Sequence, residues 1–218
     1  MKSKVLFYLS LLVLIISLVA AQEEYAYLYG GGVYQPGDDI TLEYQLPPKA
    51  RATLTLYRIL NPEKVIELGG PQQFQNSDDL SLRQVNQYTI RKSNDDYYYG
   101  DVNLGRVGPG MYFAQLESNG SKSATLLVVS DLSLVTKSDE DTVLVYSTDK
   151  DGVARKAKVY LVRQGVTNED GTTRSGSIYA EGLANDEGLT EFSKDTEESL
   201  IVAAKFGDSW AFSSNYWN

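Results

Sequence analysis

The sequence predicts an all-β chain, two tandem antiparallel β-sandwiches behind a signal peptide, and three observations predict it. Apolar residues recur at every second position in short runs, as in Ile40, Leu42 and Tyr44 or Ala52, Leu54 and Leu56, which is the period of a half-buried strand. Gly, Pro, Asn and Asp cluster between those runs about every 8 to 12 residues, the turn spacing of a sandwich. The stretch 130–163 then runs strand, turn, strand, turn, strand, as if repeating what residues 39–59 have already done.

Taken in order, Tyr25, Tyr27 and Tyr29 alternate with Ala26 and Leu28, after which Gly30-Gly-Gly32 and Gln35-Pro-Gly37 break the run. The strands through Leu42 and Leu54 flank Pro47-Pro48 and are expected to pair as a hairpin. Asn61-Pro62-Glu63 is a helix start, with a capping Asn, proline in the first turn and an acidic residue behind it, and Gly69-Gly70-Pro71 stops the helix near Leu68. A polar segment leads to a strand near Gln87. Strands follow over residues 97–104, 111–117 and 124–129, separated by Gly108-Pro-Gly110 and Ser118-Asn-Gly120. The second unit opens with apolar runs at 132–135 and 143–146 around the turn Lys137-Ser-Asp-Glu-Asp141. It continues after Asp149-Lys-Asp-Gly152 with Val159 and Leu161 alternating with Lys158, Tyr160 and Val162. Residues 177–184 and 189–192 are expected to pair back across Asn185-Asp-Glu-Gly188, and strands at 200–206 and 210–213 complete about seven per unit.

Composition narrows the chemistry. Lys2 and Lys4, the apolar run 5–19 and the small residues Ala20-Ala21 form a secretory signal peptide over residues 1–21; the alternative is an uncleaved membrane anchor. Export places the chain in a periplasm, cell envelope or extracellular space. Without the leader, 18 basic residues face 29 acidic ones, a net charge of −11, which repels phosphate backbones and anionic lipid, so nucleic acid is not an expected partner and a membrane is one only through the leader. The chain has no cysteine and no histidine. Disulfides, thioesters, Ser-His and Cys-His couples and zinc sites of the usual ligand types are therefore ruled out. Carboxylate pairs, Ser-Lys dyads and calcium loops remain.

None of these reads as a site. Asp38-Asp39, Asp78-Asp79, Asp95-Asp96, Asp139-Glu-Asp141 and Glu197-Glu198 all fall at turns, where neighbouring carboxylates point apart into water rather than across a cleft. Asp149-Lys-Asp151-Gly152 and Asn185-Asp-Glu-Gly188 lack the further oxygen ligands a calcium loop needs and read as turns. Nothing buries the lysines of Ser121-Lys122 or Ser193-Lys194. No catalytic residue, metal or cofactor is assigned. The unusual component is tyrosine, with 16 residues. Tyr97, Tyr98 and Tyr99 are the candidates for an interaction face, because an aromatic body with a polar tip suits recognition; the alternative is that tyrosine simply favours half-buried strand positions.

The order of these features resembles the N-terminal macroglobulin-like domains of the bacterial alpha-2-macroglobulin family. In the first unit the resemblance lies in Val33-Tyr-Gln-Pro-Gly37, Leu54-Thr-Leu-Tyr-Arg58, Asn61-Pro-Glu63 and Gly108-Pro-Gly-Met-Tyr112. In the second it lies in Val129-Ser-Asp-Leu-Ser-Leu134, Lys156-Ala-Lys-Val-Tyr-Leu161, the run from Leu183 to Phe192, Leu200-Ile-Val-Ala-Ala204 and Gly207-Asp-Ser-Trp-Ala211. It implies immunoglobulin-like (macroglobulin-like) sandwiches at residues 22–130 and 131–218, joined without a Pro/Gly/Ser linker. Family members are large exported cages that close around a protease once a bait segment is cut, often with a Cys-Gly-Glu-Gln thioester. With no cysteine there is no thioester here, and the later domains are not in this sequence. The resemblance thus implies a non-catalytic scaffold linked to endopeptidase inhibition, with proteases or further macroglobulin domains as partners. A surface adhesion or carbohydrate-binding module using the tyrosine-rich face is the other expectation.

Overall fold

Ile40, Leu42, Tyr44 and Leu46 alternate with Thr41 and Glu43, and in a computed structural model of the protein the first set is buried and the second exposed. The structure describes residues 25–67, 80–91, 97–163, 166–167, 173–174, 176–195 and 200–213. The leader and the carboxylate pairs Asp78-Asp79, Asp95-Asp96 and Glu197-Glu198 lie outside those residues.

The first sandwich comprises β1 (Tyr27–Tyr29), β2 (Gly32–Tyr34), β3 (Ile40–Leu46), β4 (Arg51–Ile59), α1 (Pro62–Glu67), β5 (Leu82–Arg91), β6 (Tyr98–Gly105), β7 (Gly110–Ser118) and β8 (Ser121–Val129). One sheet has the order β1-β3-β6 and the other β2-β8-β7-β4-β5. The second sandwich comprises β9 (Leu132–Ser138), β10 (Thr142–Asp149), β11 (Lys158–Arg163), β14 (Ser177–Leu183), β15 (Leu189–Ser193), β16 (Leu200–Phe206) and β17 (Ser209–Phe212), with the small ribbon β12 (Val166–Thr167) and β13 (Thr173–Arg174) between β11 and β14. Its sheets run β15-β10-β9 and β14-β11-β16-β17. Setting β2 and the ribbon aside, the described residues of each sandwich form seven strands in the same order. β1-β3-β6 matches β9-β10-β15, and β5-β4-β7-β8 matches β14-β11-β16-β17, so the repeat suspected at 130–163 is a repeat of topology.

Two expected hairpins do not form. β3 pairs with β1 and β6 whereas β4 pairs with β5 and β7, so Pro47-Pro48 carries the chain from one sheet to the other. β14 likewise pairs with β11, and β15 with β10. The physical reason is that strict alternation only requires a strand to bury one face; two consecutive strands satisfy it equally well by facing each other across the core. Leu42 and Leu46 of β3 and Leu54 and Leu56 of β4 therefore belong to one cluster from opposite sheets. The Gly30-Gly-Gly32 break is also a handover between sheets. β1 is antiparallel to β3, while β2 runs parallel to β8. Gly31 sits so close to β8 that a Cβ would lie 2.0 Å from the Thr125 hydroxyl oxygen.

The turns are built as their residues suggest. The carbonyl of Asn185 accepts from Gly188 N–H at 3.0 Å, and its side-chain oxygen accepts from Glu187 and Leu189 N–H at 3.0 and 2.9 Å. The carboxylate of Asp149 accepts from Asp151 and Val153 N–H, both at 2.9 Å, and from Arg155 at 2.5 Å. These bonds hold the Asp149 carboxyl below the ordinary carboxylate range, Val153 N–H first among the causes.

Three apolar cores run through the pair. One lies inside each sandwich, around Leu42, Leu54 and Leu116 in the first and around Val145, Leu161 and Val202 in the second. The third lies between them. Met111 and Phe113 of β7, Leu126 and Val128 of β8, and Val65 and Ile66 of α1 meet Tyr160 and Val162 of β11, Ile201 and Ala203 of β16, and Trp210 of β17. Tyr160 and Val162, which alternate with Val159 and Leu161, are 2% and 1% exposed, so this strand buries both of its faces. Strands with one wet face alternate, but Met111 to Ala114 of β7, Leu126 to Val129 of β8, Val159 to Val162 of β11 and Ile201 to Ala204 of β16 are unbroken apolar runs because both faces are covered there.

Candidate interaction face

The outer face of the β1-β3-β6 sheet is set by the same alternation that fills the core. Leu28, Leu42, Tyr44 and Leu104 turn inward, so Tyr27, Tyr29, Glu43, Gln45, Tyr99 and Asp101 turn outward. The pairing places them in two rows: Tyr29 opposite Glu43 and Glu43 opposite Asp101, then Tyr27 opposite Gln45 and Gln45 opposite Tyr99. With strands about 4.8 Å apart, each row crosses the sheet in roughly 10 Å. Tyr27 and Tyr29 stack with ring centroids 6.3 Å apart, Tyr25 continues the line at 6.4 Å from Tyr27, and the Tyr29 hydroxyl donates to Gln45 Oε1 at 3.4 Å. A shallow cleft of about 320 Å³ opens between Tyr29 and Tyr99, with Glu43 and Asp101 along it.

Of the three tyrosines singled out from the sequence, Tyr97 and Tyr99 are exposed, at 49% and 67%. Tyr98 is not on that face. Its side chain packs against the first core, 6.1 Å from the Tyr44 ring, because consecutive strand residues point to opposite sides. Gly100 makes room for this pair; a Cβ there would lie 2.7 Å from the Tyr44 hydroxyl and 2.6 Å from the Tyr98 ring. The carboxylates Glu43 and Asp101 were not picked out from the sequence. Their signal was parity with exposed Thr41 and Tyr99, and it becomes a site only once β3 is known to lie between β1 and β6.

A second cleft, of about 240 Å³, lies at the seam between the sandwiches and is lined by charged residues. Lys205 of β16 donates to Glu63 of α1 at 2.7 Å, and Arg58 of β4 meets Asp208 of the β16–β17 turn at 3.0 Å. Ser209 completes the seam by donating to Asp131 at 2.6 Å. Burial opposes ionisation of Glu63, but the hydrogen bond from Lys205, with the charges of Lys205 and Lys158, holds its carboxyl below the ordinary carboxylate range. A lowered folded value means the pair stabilises fully above the unfolded value and is lost as pH falls through the folded one. Its contribution should therefore fade below about pH 4.3, and since both side chains are partly exposed it amounts to roughly 1 kcal/mol or less. Thermal unfolding of the native chain and of Glu63→Gln at neutral pH and near pH 3 checks this: the difference between them should shrink in acid.

A scan against protein-family models found no match, and a search of curated proteins found none. Solved structures do match. Native alpha-2-macroglobulin from Escherichia coli spanning domains MG0-NIE-MG1 aligns over 87% of this chain and 63% of that one, at 15% identity and a TM-score of 0.59. The shorter Escherichia coli structure spanning NIE-MG1 aligns over 87% of this chain and 95% of that one, at 12% identity and a TM-score of 0.55. The Salmonella alpha-2-macroglobulin mutant Y1175G aligns over 87% of this chain but only 12% of its own, at 13% identity and a TM-score of 0.55. The chain thus spans less than two thirds of the first of these and about an eighth of the Salmonella protein. What the comparison establishes is the fold: two tandem macroglobulin-like β-sandwiches of the kind found in the N-terminal domains of bacterial alpha-2-macroglobulin.

Proposed function

We propose that the chain is a non-catalytic, exported scaffold, its units being residues 22–130 and 131–218 after a signal peptide at 1–21, and that it acts through protein contacts in endopeptidase inhibition. The observation that carries this is the third apolar core. It joins the two sandwiches by covering part of one sheet face of each, an arrangement suited to presenting surfaces at fixed separation. The fold shared with alpha-2-macroglobulin N-terminal domains supports the link to inhibition, and proteases or further macroglobulin domains are the proposed partners. The test is to incubate the exported chain with broad-specificity proteases and with large protein substrates, reading residual cleavage and complex formation by size-exclusion chromatography. A stable complex, slowed cleavage of large substrates or a cut at one defined site supports the reading; none of the three overturns the inhibitory role.

A second reading, a carbohydrate-binding or adhesion module, is favoured by the stacked Tyr27 and Tyr29 and the exposed Tyr97 and Tyr99. Glycan binding that disappears when Tyr97 and Tyr99 are changed to serine would favour it over the first.

A further inference from the structure

We propose that the outer face of the β1-β3-β6 sheet docks an extended protein segment bearing lysine or arginine. The proposal rests on the protein-contact reading above and adds to it the chemistry of the partner. Glu43 and Asp101 are directly opposed across β3 and β6, and like charges so placed repel. Among the described residues no cation pairs with either, although strand and turn carboxylates such as Glu181 with Lys158, Asp39 with Arg106 and Asp149 with Arg155 do find one.

The rings tell the same story. In the rest of the molecule cations lie over aromatic faces, with Arg163 4.8 Å from the Tyr179 centroid, Lys158 5.0 Å from Tyr160 and Lys205 5.4 Å from Trp210. No described cation lies over Tyr27, Tyr29 or Tyr99, although all three are exposed. Two unpaired carboxylates and the uncovered Tyr29 and Tyr99 rings along one cleft, with Tyr27 stacked on Tyr29 beside it, form a surface complementary to an ammonium or guanidinium group on a flexible stem. A neutral sugar would use the rings and leave the carboxylate repulsion unrelieved. The net charge of −9 steers a cationic partner toward the molecule, and the cleft selects where it lands.

The test is fluorescence anisotropy of the full chain with a short labelled peptide of alternating lysine and serine, beside the same peptide with glutamate for lysine. Only the lysine peptide should bind, more weakly as salt rises. The double change Glu43→Gln with Asp101→Asn should weaken it by about tenfold or more. Tyr29→Ser with Tyr99→Ser should weaken it too. Removing the like-charge pair should leave the melting temperature unchanged or higher, so loss of binding is not loss of fold. Lysine-peptide binding that ignores the carboxylate change marks diffuse attraction to an acidic surface and overturns the proposal, as does no binding at all. Binding of a neutral polysaccharide that needs the tyrosines but not the carboxylates overturns it in favour of a glycan face. Protease complex formation by the Glu43→Gln, Asp101→Asn chain is read separately, so the scaffold reading stands or falls independently.

Discussion

Replacing Trp210 by alanine is expected to destabilise the protein by about 3–5 kcal/mol and to divide its unfolding into two steps. The indole is 1% exposed in the core between the sandwiches, stacked 5.9 Å from Tyr160 and 6.3 Å from Phe212, with Lys205 over its face. Truncation leaves a cavity where the two sheets meet, and the walls are rigid strands that cannot collapse into it. Because Trp210 belongs to the cluster in which Met111, Phe113, Leu126 and Val128 of the first sandwich meet the second, the free energy lost is the part that couples the two sandwiches. Calorimetry should show one transition for the native chain and two for Trp210→Ala. Val159→Ala, whose side chain lies wholly within the second core, is the comparison: it should lower stability while leaving the sandwiches joined. A single unchanged transition in Trp210→Ala would show that the seam carries no coupling.

Gly188→Ala is expected to cost about 2–4 kcal/mol, combining left-handed strain with overpacking. Gly188 has φ +76°, and a Cβ there would lie 2.4 Å from the carbonyl oxygen of Ser147. That neighbour is backbone and has nowhere to go. Ser147 is fully buried; its N–H donates to the Gly188 carbonyl at 2.9 Å, and its own carbonyl accepts from Arg155 N–H at 2.9 Å. Its hydroxyl donates to the Arg155 carbonyl at 2.6 Å. Pushing Gly188 away therefore loosens the β14–β15 turn and the segment through Arg155 that follows β10. Urea denaturation checks the figure, and a loss under about 1 kcal/mol would show that the turn has room to shift.

Strand positions, strand number and the short helix at Pro62 were legible in the sequence, because period two, turn residues and an Asn-Pro-Glu start are local signals. Sheet membership was not. The alternation in β3 and β4 fixes which side chains are buried but is silent on whether the strands are neighbours or face each other, and the same holds for β14 and β15. The seam was half legible. Leu126 to Val129 and Tyr160 to Val162 are apolar without interruption, which in an antiparallel fold signals two covered faces but does not say what covers the second. At the candidate site, strand parity alone separates Tyr98 from Tyr97 and Tyr99. The meeting of Tyr27 and Tyr29 with Tyr99 and Asp101 depends on β3 pairing with β6, through Gln45↔Tyr99 and Glu43↔Asp101, 54 and 58 residues apart in the chain, which no local pattern encodes.

The handover at Gly31 sets an order on assembly. β2 completes its pairing only with residues 127–129, and the N–H groups of Ala26 and Leu28 donate to the hydroxyls of Ser121 and Ser123, each 95 residues away. The Ser130 N–H then closes on the Tyr34 carbonyl at 2.9 Å. A chain emerging from its N-terminus must therefore hold its second strand unpaired until its eighth arrives. The earliest residues made are among the last to be locked, and the first sandwich shuts at the point where the second begins.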